Sequence, residues 1–479
     1  MMHRTNWLVL ALACLLLAPR GGMVNIGMAQ EPPTIVGKIG DYTITADELE
    51  QRIIREARPY DPTNLNNVTE PPAAKAVLEK MLAEKAMSME ARKLGFLKRD
   101  MVYSVIRKRA EREFINKLLR DYLRANLQIK ESEVQERMKA DPKLSREQAL
   151  RTIQAIKSRE LLDKYYAQIQ EKFQAKKHTD NFAKAAKVYE RLLLHPKDER
   201  NVSFVRMTQI DTDMTADEQN LVLATYADQK LTLKDILKNI CENMAPPSRP
   251  QNLNTAEGID QFVNASMRMP LLVAEAKSLG LDKDEDIRKT VRDMEDSRLL
   301  GEMMRVKNNQ VKQPDANEVR EYFEQNKELF RQKKLMIDEI WCEDLAAAKK
   351  TRALLDEGKD FAKVKEENTL DKDWKPREVY AGSEGFLWGR LWSADPGDVV
   401  GPVIGFYKDG IKWRLVKILE KQAGDIPAFE GNIPDMAKTK VTDDRRNELF
   451  ARFRKELLKQ YPPEIYEDKI KDIDPLKIP

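Results

Sequence analysis

The sequence predicts an α+β protein, mostly α: two tandem helical modules, a small α/β domain and a helix near the C-terminal end. Three observations point there. A short extended segment, a turn and long amphipathic helices occur in that order twice before residue 330. The pattern then changes to strand-like alternation over residues 331–424. A last apolar stripe of Leu449, Phe450, Phe453, Leu457 and Leu458 returns at helical spacing. With 479 residues the chain has room for roughly three domains.

Composition narrows the chemistry. Charged residues make up 34% of the chain, and Lys+Arg 83 stand against Asp+Glu 79 with both signs interspersed. A nucleic-acid binder would carry a basic stripe instead, so no nucleic acid is expected as a partner. No GxxxxGK[ST] or GxGxxG run occurs, which leaves nucleotide binding without support. Three His and three Cys are too few to suggest a metal centre, and no cofactor is expected. His178 lies in a charged turn and His195 precedes Pro196, so both read as surface residues.

Residues 1–29 read as an export signal. Arg4 precedes an apolar run from Trp7 to Ala18, shorter than the roughly 20 residues a membrane span needs. Pro19 and Arg20 end it, and Gly27-Met28-Ala29 offers a small-x-small cleavage site before Gln30. The expected location is the periplasm, with the membrane met only through this signal; an uncleaved anchor is the alternative. Cys14 would leave with the signal. Cys241 and Cys342 fall in different predicted domains and are expected to remain separate thiols.

The repeat spans residues 30–200 and 201–330. Gly40-Asp41-Tyr42-Thr43-Ile44-Thr45-Ala46-Asp47-Glu48-Leu49 resembles Ala227-Asp228-Gln229-Lys230-Leu231-Thr232-Leu233-Lys234-Asp235-Ile236. Thr45 with Glu48, and Thr232 with Asp235, have capping-box spacing, so a helix starts at each. Loops follow, with Asn64-Leu65-Asn66 and Pro71-Pro72 in one and Pro246-Pro247 and Asn252-Leu253-Asn254 in the other. The next helix carries Val77, Leu78, Met81, Leu82 and Met89 in copy one, and Phe262, Val263, Met267 and Ala274 in copy two. Gly95 and Gly280 close these helices after a shared Glu-Ala-basic-x-Leu pattern. Glu133-Val134 and Glu318-Val319 open another helix in each. Residues 145–194 read as helical, and Val202–Ile210 as a strand closing copy one.

Residues 331–424 alternate strands and short helices. Leu335–Trp341, Val399–Val403 and Trp413–Glu420 read as strands; Leu345–Gly358 and a segment from Asp360 read as helices. Residues 425–438, with Pro427, Gly431 and Pro434, read as a linker. Thr442 then caps the last helix, which Pro462-Pro463 ends.

The order of elements here, with EGKDFAKV at 357–364, DPGDVVGPV at 395–403 and RLVKILEK at 414–421, resembles a parvulin-type peptidyl-prolyl isomerase domain. The helical module before it resembles the N-terminal domain of SurA-type periplasmic chaperones, with copy one an additional module. The last helix, in the 425–479 segment, resembles the SurA C-terminal segment that packs back on that module. The repeat, with the stripe of Leu449, Phe453 and Leu457 that needs a partner surface, predicts that residues 225–330 form one unit with the C-terminal helix 440–460 and that residues 34–200 form a similar one. The resemblance also implies a pair of His on adjacent strands, at positions that Glu339 and Arg414 occupy here. No His exists in residues 331–424, and Ala381–Gly389 departs from the family's glycine-rich turn. Glu339 and Arg414 are therefore expected to form an ion pair in place of the His pair, with Asp338 as the alternative acid.

The aromatic cluster of Trp341, Phe386, Trp388, Trp392, Phe406 and Trp413 has two readings. One is core and edge packing of a small sheet domain. The other is an apolar groove for peptides, and exposure separates the two. The expected function is an exported chaperone for unfolded or nascent envelope polypeptides, with a parvulin-like domain that has lost most isomerase activity. The alternatives are an active prolyl isomerase and a non-catalytic envelope adaptor.

Overall fold

The computed structural model describes residues 33–58, 72–194, 204–250, 252–408 and 410–476. The export signal with Ala29 and Gln30, the Asn64–Pro71 part of the first loop, and His195 with Pro196 lie outside the described residues. In chain order the main helices are α1 (Ala46–Ala57), α2 (Ala74–Lys93), α3 (Asp100–Asn126), α4 (Glu131–Ala140), α5 (Arg146–Lys172), α6 (Phe182–Leu194), α7 (Leu233–Asn243), α8 (Ala256–Ser278), α9 (Glu285–Asn308), α10 (Ala316–Gln325), α11 (Leu345–Asp356), α12 (Phe361–Asn368) and α13 (Ile433–Gln460). The strands are β1 (Ile35–Ile39), β2 (Tyr42–Thr45), β3 (Lys176–Lys177), β4 (Val222–Tyr226), β5 (Gln229–Thr232), β6 (Lys333–Cys342), β7 (Arg377–Val379), β8 (Val399–Tyr407), β9 (Gly410–Ala423) and β10 (Glu464–Ile465). The fold is α+β, mostly α. Among the described residues no helix is long and apolar enough to cross a membrane.

The repeat is present element by element. Thr45 and Thr232 each accept the backbone N–H three residues on, and Glu48 and Asp235 reach back to the cap N–H. Both hairpins carry an irregularity at the same place, between Ile35 and Gly37 in one and Val222 and Ala224 in the other. Gly95 and Gly280 both sit at φ +74°, a backbone that L side chains rarely adopt, and each turns the chain into the next long helix. Val134 in α4 and Val319 in α10 are both buried.

The chain folds into two compact units. Tyr103–Met294 make a central unit; the described residues up to Val102 and from Glu295 onward make a terminal unit. The central unit packs Leu162 and Ile169 of α5, Leu192 of α6, Ile236 and Ile240 of α7 and Val263, Met267 and Leu271 of α8 around the sheet β3-β4-β5. The terminal unit packs Leu49 and Ile53 of α1, Leu78 and Leu82 of α2, and Phe450, Phe453 and Leu457 of α13 around the sheet β10-β1-β2. The C-terminal helix therefore lies on the helices of copy one, as well as on α10, and not on α7 and α8 as expected. Each compact unit mixes segments of both copies.

Residues 333–423 form an antiparallel sheet in the order β7-β6-β9-β8, with α11 and α12 packed against it through Ala348, Phe361 and Val364. Two further expectations are corrected. The described part of the predicted strand Val202–Ile210 ends in a helical turn, Met207–Thr212. There the Gln209 side chain accepts the Arg206 N–H and donates to Leu192 O, satisfying backbone groups that an isolated strand would leave open. The predicted linker 425–438 is shortened, because α13 already begins at Ile433. Pro434 stands in the first turn, where a missing N–H costs no helical hydrogen bond. Thr442 is thus mid-helix, donating its hydroxyl to Lys438 O.

Candidate functional site

The central strands of the sheet domain set the site. In the β6–β9 register, Trp341 stands opposite Arg414 and Glu339 opposite Val416. Alternation along a strand places Glu339 and Arg414 on one face, a diagonal step apart. The expected pair forms: Arg414 Nη1 donates to Glu339 Oε1. Asp338 points to the other face and pairs with Lys365. Glu339 and Arg414 are 0% and 3% exposed, so their charges are out of water.

Two residues that the sequence reading passed over complete the arrangement. Arg377 on β7 donates to Glu339 Oε2 through Nε at 2.8 Å and to Glu384 Oε1 through Nη2 at 2.9 Å. Arg414 Nη2 donates to Glu384 Oε2 at 2.7 Å. Glu384, 2% exposed, stands at the end of the single turn Ala381–Glu384. Glu339, Arg414, Glu384 and Arg377 thus form a closed ring of two acids and two bases. Trp374 Nε1 adds a bond to Glu339 Oε2 at 2.8 Å.

Burial alone would raise the Glu339 pKa, but Arg414, Arg377 and the Trp374 N–H outweigh it and hold the carboxyl below its ordinary value. Burial opposes the charge on Arg414 as well, and the two carboxylates more than restore it, so its pKa is raised. Arg377 is likewise raised, against the cost of burial, by its two carboxylate partners, so Glu339, Arg377 and Arg414 are all shifted toward their charged forms. Arg414 Nη1 and Nη2 each give one N–H to a carboxylate. Arg414 Nε has no hydrogen-bond partner, but it lies under Gly405, where an added Cβ would come within 2.7 Å of it and 2.5 Å of the Trp341 ring.

Beside the ring is a cleft of about 360 Å³, open solvent included, lined by Arg377, Glu384, Phe386, Ile404, Phe406 and Arg414 among others. Its apolar side chains Phe386, Ile404 and Phe406 also pack against the helical core of the terminal unit, and the Arg58 guanidinium lies 5.5 Å from the Phe406 ring centre.

The other aromatic candidates lie elsewhere. Trp341 is buried, 5.2 Å from the Arg414 guanidinium and 5.1 Å from the Tyr407 ring. Trp413 faces the opposite side and packs with Leu354 and Phe361. Trp388 and Trp392 stack at 5.4 Å against the core of the sheet. The six aromatics therefore do not line one groove; only Phe386 and Phe406 border the cleft. The signal that could have marked Glu384 is a lone acid inside the stretch 381–389 where the family pattern breaks.

No known protein-family model matches this chain, and no curated protein does. Among solved structures, the chain is similar to one of two SurA-like chaperones of Campylobacter jejuni, PEB4 and Cj1289, at 14% identity and a TM-score of 0.24, covering 50% of this chain and 97% of that one. It is similar to the foldase PrsA of Streptococcus pneumoniae at 13% identity and a TM-score of 0.24, covering 45% and 77%. The peptidylprolyl isomerase PrsA of Bacillus anthracis is matched at 14% identity and a TM-score of 0.22, covering 58% and 95%.

Proposed function

We propose that this protein is an exported chaperone that holds unfolded polypeptides of the cell envelope, and that its parvulin-like domain does little isomerisation. The closed ionic ring carries this reading. Rotating a prolyl amide crosses a barrier of about 18–20 kcal/mol. A catalyst must therefore bind the twisted amide better than either planar form. In the ring each Arg414 Nη group gives an N–H to a buried carboxylate, so a substrate carbonyl there would compete with two ion pairs held out of water. Phe386 and Phe406, which would form the walls of a proline pocket, are partly covered by the helical core.

Holding a client asks less. It needs only a preference for unfolded over folded chains, and adaptable apolar side chains serve that. Leu94, Leu279, Met269 and Met304 are exposed on the helical segments. The resemblance of these segments to the SurA N-terminal domain supports the same assignment, and the signal-like residues 1–29 support export.

The test uses one preparation in two assays. Light scattering is expected to show suppressed aggregation of an unfolded envelope protein. A protease-coupled assay on a short prolyl peptide is expected to show a rate close to the uncatalysed one. Acceleration like that of an ordinary parvulin, abolished in Arg414→Ala, would establish the active isomerase instead. Inactivity in both assays would favour the envelope adaptor.

A further inference from the structure

The compact units cut across the sequence copies in a regular way. We infer that the chain is a fused pair of modules that complete each other by reciprocal exchange, so that the binding partner of each copy is the other copy. The hairpin of copy one, β1–β2, receives its third strand from the C-terminal segment, which continues copy two beyond the sheet domain: Gly37 pairs with Ile465 and Lys38 with Glu464. The hairpin of copy two, β4–β5, receives its third strand from copy one: Ala224 pairs with Lys177 and Thr225 with Lys176. Counted from the shared hairpin irregularity, the two registers are the same. Even the flanking bond repeats, with Tyr466 N–H donating to Val36 O at 3.0 Å and His178 N–H donating to Leu223 O at 2.9 Å.

The helices preceding these third strands correspond residue by residue. Aligned on Lys177 and Ile465, α5 and α13 bury Ala149 and Ala437, Ile153 and Val441, Leu162 and Phe450, and Ile169 and Leu457 at matching positions. The first of these pairs packs on the buried valine of the preceding short helix, Val134 in α4 and Val319 in α10. The long helices α3 and α9 each begin in the unit that holds their own hairpin and end in the other. Exchanged and unexchanged arrangements make the same bonds, as in domain swapping between separate chains, but here both partners are in one chain. The sheet domain enters as an insertion. Copy one joins α4 to α5 through residues 141–145, whereas copy two carries β6 to β9 between α10 and α13. One parvulin-like domain therefore serves two helical modules.

The test uses the full chain with Cys14→Ser, Cys241→Ser and Cys342→Ser and a protease site inserted within residues 195–203. One variant adds Lys38→Cys with Glu464→Cys, another Lys176→Cys with Thr225→Cys. Directly opposed antiparallel residues have Cα atoms about 4.5–5.5 Å apart, within disulfide reach. Two controls carry the pairs an unexchanged fold would bring together, Lys38→Cys with Lys176→Cys and Thr225→Cys with Glu464→Cys. After oxidation and cleavage, the exchanged pairs are expected to hold both fragments in one band at the mass of a single chain, and the controls to keep free thiols and release two fragments. Disulfides in the controls, or a band at twice the chain mass, would overturn the inference. A second measurement needs no new cysteines: the cleaved protein is expected to elute as one species in native gel filtration. Separation into two folded fragments would overturn the exchange.

Discussion

At the scale of single residues, the ring of Glu339, Arg414, Glu384 and Arg377 decides what the sheet domain tolerates. Removing one partner of a buried ion pair typically costs about 3–5 kcal/mol, because the remaining charge has nowhere to go. Glu339→Gln is expected to destabilise the domain by that order, read by denaturant unfolding followed through the fluorescence of Trp341 and Trp374. A change below about 1 kcal/mol, the size of an exposed pair, would mean that water reaches the ring. The folded pKa of Glu339 lies below its ordinary value of 4.5. A depressed carboxyl stabilises above its unfolded pKa and loses that contribution as pH falls through the folded value. Stability attributable to Glu339 should therefore be level near neutral pH and decline only in acid below 4.5, and Glu339→Gln should flatten that decline. The Glu339–Arg414 pair was legible because family resemblance marked two positions on neighbouring strands. Glu384 and Arg377 were not, since nothing in a short turn or a three-residue edge strand ties a charge to a partner across the sheet.

At the scale of elements, the matching caps allow a comparison inside one molecule. Thr45 opens α1 in the terminal unit and Thr232 opens α7 in the central unit, each through a capping box. Loss of such a cap typically costs about 1 kcal/mol. Thr45→Ala is expected to lower hydrogen-exchange protection in α1 and leave α7 unchanged; Thr232→Ala should do the reverse. Equal effects of either change on both helices would show that the two units unfold together. These hairpins, caps and glycine turns were readable from sequence because each depends on a few adjacent residues. The kinship of α5 and α13 was not readable. Their stripes use different side chains, Leu162 for Phe450 and Ile169 for Leu457, and the sheet domain interrupts only one copy. The prolines near residue 434 misled for another reason: a residue that breaks a helix interior is welcome in its first turn.

At the scale of the whole molecule, the long helices and the main strands were readable, and one helix among them was misplaced. An amphipathic stripe states that a helix needs a partner, and two equivalent hairpins offer equivalent surfaces. Local pattern cannot say which hairpin receives α13. Because Leu457 is 2% exposed in the core it shares with β1, α1 and α2, Leu457→Ala is expected to cost about 2–5 kcal/mol in the terminal unit. Hydrogen exchange should show lost protection in β1 and α2, at the opposite end of the sequence, while α6 and α8 in the central unit keep theirs. Loss of protection in α8 instead would place the C-terminal helix where the family resemblance first suggested.

The pairing of Gly37 with Ile465 also bears on the order in which the molecule can mature. A chain that enters its folding compartment N-terminus first delivers Gly37 long before Ile465. The central sheet closes far sooner, because Lys177 and Ala224 are near in the chain. For the intervening time β1 has an open edge and α2 a bare apolar stripe, features that invite association with other chains. The terminal unit is thus the last to be completed, and until Glu464 and Ile465 arrive its oldest segment shares the vulnerability of an unfolded chain.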